Sequence, residues 1–440
     1  ERSSSCTCWL LLSLHRQAAV AMSLFVLYIL SFICTAGGQR VDRFNPETLL
    51  LALRPPPRSS RTHAPKMNVI LETPRRLLDL LKRKPSPSSE ETSERLYTGS
   101  ELPKVIGGVK IGTRRIVVVT GASSGLGLAA TKALVDDDYF VVAAVRDPKK
   151  MDAVAEEKGI PKSNYVAMKL ELASLQSVKD FVSNLRLFLP QRPINHLICN
   201  AAVYRPRSSL PAWTDDGFEM QLGVNHLGHF LLVQLLLPDL KRARGARCVI
   251  LGSVTGNSNT VAGSVVKPVA ELGQLEGLKL GGNKASTMAA SPEEKFNGAK
   301  AYKDAKALNM ITSLEMHRRF HDTTGVAFTS LYPGCICDTD LFRQKRAWFK
   351  TAWPALMKLV GAYVTEKEAG ERLAQVITDP RCSKSGVYWG WNGNSQTVGI
   401  GNAGGGGGEL NENEFSDMVA DERTGQLAYE YSMEAIKDYL

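Results

Sequence analysis

The chain has 440 residues, 44% hydrophobic and 22% charged, which is the composition of a globular protein with one large domain or two smaller ones. Its formal net charge is +10, but residues 1–113 hold 16 Lys/Arg and 9 Asp/Glu, which leaves 38 basic and 35 acidic residues in the remainder. This near balance disfavours nucleic acid as a partner. The spacing of the eight cysteines predicts neither a metal site nor a disulfide framework.

Residues 1–104 predict a targeting presequence. From Met22 the chain reads MSLFVLYILSFICTAGGQR, an apolar run of about 14 residues, which is short for a membrane span and typical of a signal-peptide core. An anchor helix extended by CWLLLSL is the alternative. Residues 39–89 hold 11 Lys/Arg against 4 Asp/Glu, which is typical of a transit peptide. A signal-like 22–38 followed by a transit-like 39–104 indicates delivery to a plastid wrapped in additional membranes.

Alternating strand and helix patterns begin at residue 114, where RRIVVVTGASSGLGLAATKALV reads as a strand, a glycine turn and a helix. Gly121, Gly125 and Gly127 let the backbone turn tightly and let a dinucleotide pyrophosphate approach the N-terminus of the helix. The flanking strand and helix make this signal more specific than a glycine turn alone. We predict a doubly wound parallel sheet of the Rossmann type, forming a single α/β domain over residues 105–400.

The second strand, YFVVAAV, ends in Arg146, with Lys149 and Lys150 close behind. Enzymes that use NAD usually place an acidic residue here to bind the ribose hydroxyls, whereas a guanidinium group suits a 2′-phosphate. The sequence therefore favours NADPH over NADH. The alternative is a solvated strand end with no part in binding.

Three polar residues are predicted at or just beyond the carboxyl ends of further strands. HLICNAAVY ends in Asn200, VNHLGHFLLVQLLLP opens a long helix at Asn225, and CVILGSVTG finishes at Ser253. Ligands of a parallel sheet bind at these ends, so the three side chains are candidate site residues. His226 and His229 are interpreted as residues that pack the helix rather than as catalysts.

The stretch GAKAYKDAKALNM places Tyr302 and Lys306 four residues apart, on one face of a helix. A phenol with a pKa of about 10 is a poor proton donor at neutral pH. A neighbouring ammonium group favours the phenolate and lowers this pKa. Taken alone, the pair fits an exposed Tyr/Lys pair on an amphipathic helix equally well.

In order along the chain, TGASSGLG, NAA, NHLGHF, the strand ending in Ser253, YKDAK and YPG resemble the short-chain dehydrogenases/reductases. The resemblance implies that Tyr302 is the proton donor and that Lys306 lowers its pKa and holds the nicotinamide ribose. It implies that Ser253 (or Thr255) positions the substrate and that Asn225 supports a proton-relay water. The cofactor site implied by the resemblance consists of Gly121, Ser123, Ser124, Gly125, Leu126, Gly127, Arg146, Glu171, Leu172, Asn200, Ala201, Tyr302, Lys306, Pro333 and Gly334.

Three features depart from the ordinary members of that family. Ser253 and Tyr302 lie 49 residues apart, far more than the family usually needs, because of an insertion at about 256–297 that we interpret as a lid over a large substrate. Cys335 follows the Pro-Gly turn in SLYPGCICDTDLF. SGVYWGWN places three aromatic residues together at 385–392, which suits a flat conjugated ligand or a packed strand equally well.

With NAAVYRP, SVTGN, AYKDAK and HRRFH, these features closely resemble the light-dependent protochlorophyllide oxidoreductases of plastids and cyanobacteria. The resemblance implies that NADPH and a proton reduce the C17=C18 double bond of ring D once the bound pigment has absorbed light, giving chlorophyllide. Tyr332 and Cys335 line the pigment site in this interpretation. Cys335 donates or relays the proton or shapes the pocket, and a small packing residue is the alternative.

The chain also departs from that second family. It has Asp338 where a Thr commonly meets the nicotinamide carboxamide, and Glu171 where Asp is usual near the adenine. The resemblance ends near residue 400, and residues 401–440 are interpreted as a glycine-rich linker and a C-terminal helix.

Two other functions stay open at this point. One is an ordinary NADPH-dependent carbonyl reductase of retinoid- or steroid-like substrates, and the other is a non-catalytic plastid protein that binds pigment or NADPH. The expected partner is the protochlorophyllide pigment. A homo-oligomer and a peripheral association with plastid membranes are compatible with the sequence, whereas metal and nucleic acid are not expected.

Overall fold

The computed structural model describes residues 105–106, 109–264, 266–279, 295–336, 354–355, 357–358, 363–391 and 408–440. The predicted presequence, 1–104, lies outside the described residues, as do Asp338 and residues 401–407 of the predicted linker.

The apolar runs form strands whose side chains are mostly buried. The strands are β1 (Val105–Ile106), β2 (Val109–Lys110), β3 (Ile116–Thr120), β4 (Phe140–Val145), β5 (Tyr165–Lys169), β6 (His196–Cys199), β7 (Arg247–Leu251), β8 (Ala327–Leu331), β9 (Val387–Trp391) and β10 (Leu410–Asn413). Within the described residues β1 and β2 form a small hairpin, and the others form one sheet in the order β10-β9-β8-β7-β6-β3-β4-β5.

Strands β3 to β9 pair in parallel, and β10 runs antiparallel to β9 at one edge. The chain first builds outward from β3 to β5 and then returns to build β6 to β9 on the other side, so the strand order reverses between β3 and β6. This arrangement confirms the predicted doubly wound parallel sheet. Ligands of such sheets bind outside the carboxyl ends of the strands, at the point of reversal.

Helices cover both faces of the sheet. They are α1 (Gly125–Asp136), α2 (Pro148–Glu157), α3 (Leu175–Phe188), α4 (Met220–Leu240), α5 (Val261–Ser264), α6 (Glu276–Lys279), α7 (Gly298–Thr324), α8 (Glu366–Thr378), α9 (Asp417–Ala420) and α10 (Glu422–Ile436). Short 3-10 turns lie at Lys162–Asn164, Val254–Gly256, Pro380–Ser383 and Lys437–Tyr439. Helices α1, α2 and α8 share one hydrophobic cluster with the sheet, and α3, α4 and α7 pack together on the opposite side.

Helix α4 begins earlier than the sequence predicted. It starts at Met220, where the Glu219 carboxylate accepts hydrogen bonds from two backbone N–H groups of the first turn. Gly223–Leu227 then form a wide π turn before the α-helix resumes. The prediction of a helix that opens at Asn225 is therefore wrong, since Asn225 lies inside this π turn. Such turns are rare and are frequent at functional sites.

Helix α4 is also, among the described residues, the one helix long and apolar enough to cross a membrane, with a mean hydropathy of 1.2. Its most apolar window is 89% buried inside the protein, between the sheet and helices α3 and α7. Burial of this kind accounts for its composition, because a helix that is apolar all round belongs in a protein core or in a membrane.

The described part of the insertion packs onto helix α7. Leu272, Leu275 and Leu278 are buried, and the Lys300 ammonium group donates to the carbonyl of Glu271 at 2.8 Å. Residues 266–279 therefore form a packed layer. The remainder of the predicted lid, residue 265 and 280–294, lies outside the described residues.

The C-terminal segment packs back on the elements that carry the predicted site. The Asn257 amide group donates to the carbonyl of Glu414 at 3.0 Å and accepts from the backbone N–H of Ser416 at 2.8 Å. Ser432, on α10, forms a 2.8 Å hydrogen bond with His226 in the π turn of α4. The segment thus contacts both the loop after β7 and the π turn.

Candidate active site

The glycine turn lies between β3 and α1 and leaves no room for side chains. Gly121 has φ +68°, a left-handed conformation that favours glycine. A Cβ at Gly127 would lie 2.3 Å from the carbonyl oxygen of Gly121 and 2.5 Å from the Asn200 amide nitrogen. Within the described residues the Ser124 side chain does not cap the helix, so its first-turn N–H groups are left for an anion. Ser123 and Leu126 lie in the same turn, half-buried.

The loop after β6 is tied to this turn. Asn200 donates from its amide group to the carbonyl of Thr120 at 2.8 Å, and the backbone N–H groups of Asn200 and Ala201 both donate to the Thr120 hydroxyl. Two of the predicted cofactor residues are thereby brought beside the glycine turn at the point where the strand order reverses.

The end of β4 presents Arg146 to solvent next to the glycine turn, because the backbone N–H of Gly121 donates to the carbonyl of Ala144 at 2.9 Å. Asp147 follows directly, but its carboxylate caps α2 by accepting from the backbone N–H groups of Lys149 and Lys150. The acidic group nearest the strand end is therefore committed to a helix cap, and Arg146 is the exposed charge.

Glu171 and Leu172 follow β5 at the same edge of the sheet. The Glu171 carboxylate accepts from the backbone N–H of Ala173 at 3.1 Å, so it shapes its own turn. A Cβ at Gly228 would lie 2.7 Å from the carbonyl oxygen of Leu172, so α4 and this loop touch backbone to backbone.

Tyr302 and Lys306 lie on α7, which begins where the Asn297 side chain accepts from two backbone N–H groups. Lys306 is buried, and its ammonium group donates to the carbonyl of Leu251 at 3.0 Å, at the carboxyl end of β7. Burial lowers the pKa of Lys306 to about 8. The ring of Tyr302 packs against the ring of Tyr204, with 4.5 Å between the centroids.

The predicted lowering of the Tyr302 pKa is not found in this structure. Burial raises that pKa, and the neighbouring Tyr204 raises it further. The Lys306 ammonium group lies 5.9 Å from the centroid of the Tyr302 ring and is turned toward the Leu251 carbonyl. Tyr302 therefore holds its proton at neutral pH, and the raised pKa makes the phenol a weaker acid than a free tyrosine.

Ser253 lies two residues beyond β7, and the strand ends at Leu251 rather than at Ser253 as predicted. Its hydroxyl is 2.9 Å from that of Thr255, the alternative residue for positioning the substrate. A Cβ at Gly256 would lie 2.8 Å from the backbone nitrogen of Ala307, so this loop touches the backbone of α7 directly. The long insertion therefore does not separate Ser253 from the helix of Tyr302.

Asn225 reaches the site from the π turn. Its amide group donates to the carbonyl of Val203 at 3.0 Å and accepts from the backbone N–H of Val203 at 2.8 Å. The side chain thus holds the loop that follows β6, and its backbone carbonyl accepts from a ring nitrogen of His229 at 3.1 Å.

The Pro-Gly turn after β8 lies at the same carboxyl edge. The backbone N–H of Tyr332 donates to the carbonyl of Trp389 at 3.0 Å, and the carbonyl of Cys335 accepts from Val364 at 3.1 Å. The buried guanidinium group of Arg372 donates to the carbonyl of Pro333 at 2.8 Å. Cys335 is half-buried, whereas Cys199, Cys248 and Cys382 are buried.

The aromatic residues of β9 are packed. Tyr388, Trp389 and Trp391 are all buried, and the Trp391 indole donates to the Gln375 side chain at 3.1 Å. Arg372 lies over the ring of Trp391 at 5.2 Å from its centroid. The sequence left two interpretations of this cluster, a site for a flat conjugated ligand or a packed strand, and the structure shows these residues as a packed strand.

Three residues that position the site were not found from the sequence: Thr120, His229 and Arg372. Thr120 stands directly before the glycine turn, and His229 stands four residues after Asn225. The positions of both residues relative to these motifs could therefore have indicated a role in the site. Arg372 had none, because it lies on α8, a helix with no motif of the predicted site.

Replacement of Gly127 by alanine is expected to cost about 2 kcal/mol of stability, because the added methyl group overlaps the Gly121 carbonyl and the Asn200 amide. We expect the Kd for NADPH to rise at least about tenfold, which fluorescence titration would measure. Gly245→Ala is the control, since its methyl group meets nothing within 4 Å and carries only the strain of a left-handed backbone. Equal NADPH affinity in both variants would contradict the assignment of the turn.

Comparison with known proteins gives one family. The short chain dehydrogenase family model matches residues 115–265. Protochlorophyllide reductase A, chloroplastic, of Arabidopsis thaliana is 52% identical over 63% of this chain and 68% of its own length. The protochlorophyllide reductases of Daucus carota and Chlamydomonas reinhardtii are 47% and 46% identical over 72% and 73% of this chain, and 76% and 78% of their own lengths.

A solved structure of NADPH-bound carbonyl reductase from chicken fatty liver is 21% identical, with a TM-score of 0.44 over 62% of this chain and 95% of that protein. The identity to the plant and algal relatives extends across most of the region that carries the sheet and the candidate active site. The chain therefore belongs to the protochlorophyllide reductase family within the short-chain dehydrogenases/reductases.

Proposed function

We propose that the chain reduces protochlorophyllide to chlorophyllide with NADPH and that light absorbed by the bound pigment drives the reaction. One observation carries this proposal. In a chain 52% identical to a chloroplastic protochlorophyllide reductase, the Tyr302–Lys306 helix, the Ser253 loop and the Cys335 turn meet at the carboxyl edge of one sheet, beside a dinucleotide turn.

The residues at this edge fit a dinucleotide phosphate. The glycine cradle admits no side chain, the uncapped start of α1 suits a pyrophosphate, and Arg146 is the exposed cation that suits a 2′-phosphate. Lys306 would hold the nicotinamide ribose, and Glu171 and Leu172 would lie near the adenine. When bound, NADPH supplies the hydride of the reaction.

Replacement of Arg146 by alanine is expected to raise the Kd for NADPH about 10- to 100-fold, because a charged hydrogen bond to a phosphate contributes about 1.5–3 kcal/mol. The Kd for NADH should stay within about twofold, since NADH lacks the 2′-phosphate. Lys132→Ala, which removes an exposed ammonium group paired with Asp136 on α1, is the control for general charge loss. A parallel rise for both cofactors in Arg146→Ala would remove Arg146 from the site.

The protein aligns the reactants and holds the proton. The C17=C18 bond is not polarised as a carbonyl is, so Tyr302 has no nascent oxyanion to protonate, and exclusion of water and close alignment are the tasks left to the side chains. Tyr302, whose raised pKa keeps the phenol protonated, and the half-buried thiol of Cys335 are the two candidate proton donors, acting directly or through a water supported by Asn225. Tyr332 and Cys335 would line the pigment pocket.

Replacement of Cys335 by alanine is expected to lower the yield of chlorophyllide per flash at least about tenfold, the usual size of a lost proton-transfer group or of misalignment. Cys382→Ala, which removes a thiol buried in the core in the 3-10 turn that follows α8, serves as the control. Unchanged pigment binding and unchanged phototurnover in Cys335→Ala would reduce this thiol to a packing residue.

The site of action follows from the relatives, whose names place them in the chloroplast. We assign this chain to the plastid, with residues 1–104 as a signal-like and transit-like presequence ahead of the catalytic domain at 105–400. A mature N-terminus near Met22 in protein from plastids would refute the two-part presequence.

The proposed function is tested by absorption spectra of the full chain with NADPH and protochlorophyllide, recorded in darkness and after one flash. A red-shifted chlorophyllide band that appears only after light is the expected result. Bound pigment that never converts would indicate a binding protein. Carbonyl turnover in darkness would indicate an ordinary short-chain reductase.

A further inference from the structure

A buried chain of hydrogen bonds joins the π turn to the loops of the dinucleotide site. One ring nitrogen of His229, Nδ1, lies 3.1 Å from the backbone carbonyl oxygen of Asn225, and the other, Nε2, lies 2.9 Å from the Thr120 hydroxyl. That hydroxyl accepts the backbone N–H groups of Asn200 at 2.9 Å and Ala201 at 3.0 Å. His229 thus connects three elements, β3, the loop after β6 and helix α4.

The partners determine which nitrogen of His229 carries the proton. The Asn225 carbonyl can only accept, so Nδ1 must donate. The Thr120 hydroxyl already accepts two N–H groups, and its one proton faces Nε2 at 2.9 Å and the more distant Ile198 carbonyl at 3.3 Å, so Nε2 is the nearer acceptor and cannot itself donate to this hydroxyl. The donors and acceptors that join His229, Thr120, Asn200, Ala201 and the Asn225 carbonyl are then all satisfied by a neutral imidazole in the Nδ1–H tautomer.

A charged ring does not fit the same place. A proton on Nε2 would face a hydroxyl whose two acceptor positions are both occupied by Asn200 and Ala201. His229 is 1% exposed, so water cannot replace a lost partner, and burial lowers its pKa to about 4. The neutral tautomer therefore persists throughout the physiological pH range.

The two ends of the ring serve different parts of the site. Through Nε2, His229 orients the Thr120 hydroxyl that holds Asn200 and Ala201 beside the glycine turn. Through Nδ1, it holds the carbonyl of Asn225, whose side chain in turn fixes Val203 in the loop that leads to Tyr204. Tyr204 packs on the ring of Tyr302.

We propose that His229 is a positioning residue that couples the dinucleotide loops to Asn225 and Tyr302 through its Nδ1–H tautomer. This goes beyond the interpretation of His229 as a residue that packs the helix. Only its activity readout rests on the proposed function; the tautomer and the affinity for NADPH do not depend on the light reaction.

Two amide variants separate the two ends of the ring. In His229→Asn the amide nitrogen takes the place of Nδ1 and can still donate to Asn225, while the bond to Thr120 is lost. In His229→Gln the amide oxygen reaches toward the place of Nε2 and can still accept from Thr120, while the bond to Asn225 is lost. The expected result is a split: a Kd for NADPH raised at least fivefold in the Asn variant, and a yield per flash lowered at least fivefold at saturating NADPH in the Gln variant.

His226→Gln is the matched control, because His226 is equally buried on the same helix but bonds to Ser432 and to Asn309, neither of which lies in the loops after β3 and β6. We expect it to leave the Kd for NADPH within twofold. A packing role for His229 predicts that Asn and Gln variants change affinity and yield in the same proportion, and that result would overturn the proposal.

The tautomer provides a readout that activity does not share. Nitrogen-15 NMR of the imidazole rings in the full chain, assigned with His229→Gln, should show a protonated Nδ1 and a bare Nε2 at this residue between pH 6 and 8. An Nε2–H tautomer or a charged ring would overturn the proposal even if the flash experiment succeeds. If the flash experiment fails while the expected tautomer and the expected rise in the Kd for NADPH in His229→Asn are both found, the proposed function is refuted. The positioning role of His229 then still stands.

Discussion

Acidification from pH 6.5 to pH 5 is expected to remove about 3 kcal/mol from the free energy of unfolding, because three buried histidines resist protonation in the folded state. Burial lowers the pKa of His196 and of His226 to about 3, and that of His229 to about 4. In the unfolded chain each ring titrates near its ordinary pKa of about 6.5.

The sign follows from proton binding. A histidine whose folded pKa is lowered contributes stability above its unfolded pKa and loses it as the pH falls toward the folded value, since only the unfolded state takes up the proton. Each ring therefore costs about 1.6 kcal/mol between pH 6.5 and pH 5, or close to 5 kcal/mol for the three.

Glu219 opposes this trend. Burial raises the pKa of its carboxyl group to about 7, so the folded state takes up this proton first and gains stability as the pH falls. Over the same window the gain is about 1.7 kcal/mol, which brings the net loss to about 3 kcal/mol. Urea unfolding at a series of pH values would measure it.

His196→Phe is the variant that isolates one ring. Neither ring nitrogen of His196 has a hydrogen-bond partner among the described residues, and the ring packs on Tyr139 with 5.7 Å between centroids, a contact that phenylalanine keeps. The net loss between pH 6.5 and pH 5 should fall from about 3 to about 1.5 kcal/mol. A full loss in this variant would show that His196 does not resist protonation.

The sheet and the glycine turn could be predicted from the sequence because their signals are local. Apolar runs of strand length, a glycine pattern between them and a Tyr/Lys pair at helical spacing all lie within short windows, and those elements are where the sequence placed them. The start of α4 could not, because its cap is Glu219 rather than a Ser, Thr, Asp or Asn, and the helix is buried with little amphipathic pattern.

The contacts that orient the site could not be predicted, because they join residues far apart in the chain. Lys306 meets the Leu251 carbonyl across 55 residues, and His229 meets Thr120 across 109. The error about the pKa of Tyr302 has the same origin, since burial of the phenol and the neighbouring Tyr204 raise that pKa, and the spacing of Tyr302 and Lys306 on one helix records neither. Long-range partners compete with local ones, and a sequence pattern records only the local ones.

Replacement of Arg372 by methionine is expected to cost about 3 kcal/mol of stability and to loosen the turn that carries Cys335. Its guanidinium group is 4% exposed, donates to the Pro333 carbonyl at 2.8 Å, pairs with Glu368 at 2.9 Å and lies over Trp391. Methionine fills the space of the stem but leaves the Pro333 carbonyl unpaired, which costs about 1–3 kcal/mol, and removes a buried cation–π contact of about 1–2 kcal/mol.

Arg381→Met is the matched control, since Arg381 pairs with Asp379 just beyond the end of the same helix with 67% of its side chain exposed, and its loss should leave the stability nearly unchanged. Beyond urea unfolding, the rate of alkylation of Cys335, followed by mass spectrometry at that residue, reports on the turn itself. We expect at least about a fivefold faster rate in Arg372→Met, because local opening that exposes the thiol needs about 1 kcal/mol less. An unchanged alkylation rate with lowered stability would confine Arg372 to the packing of α8 on Trp391 and give it no part in holding the Cys335 turn.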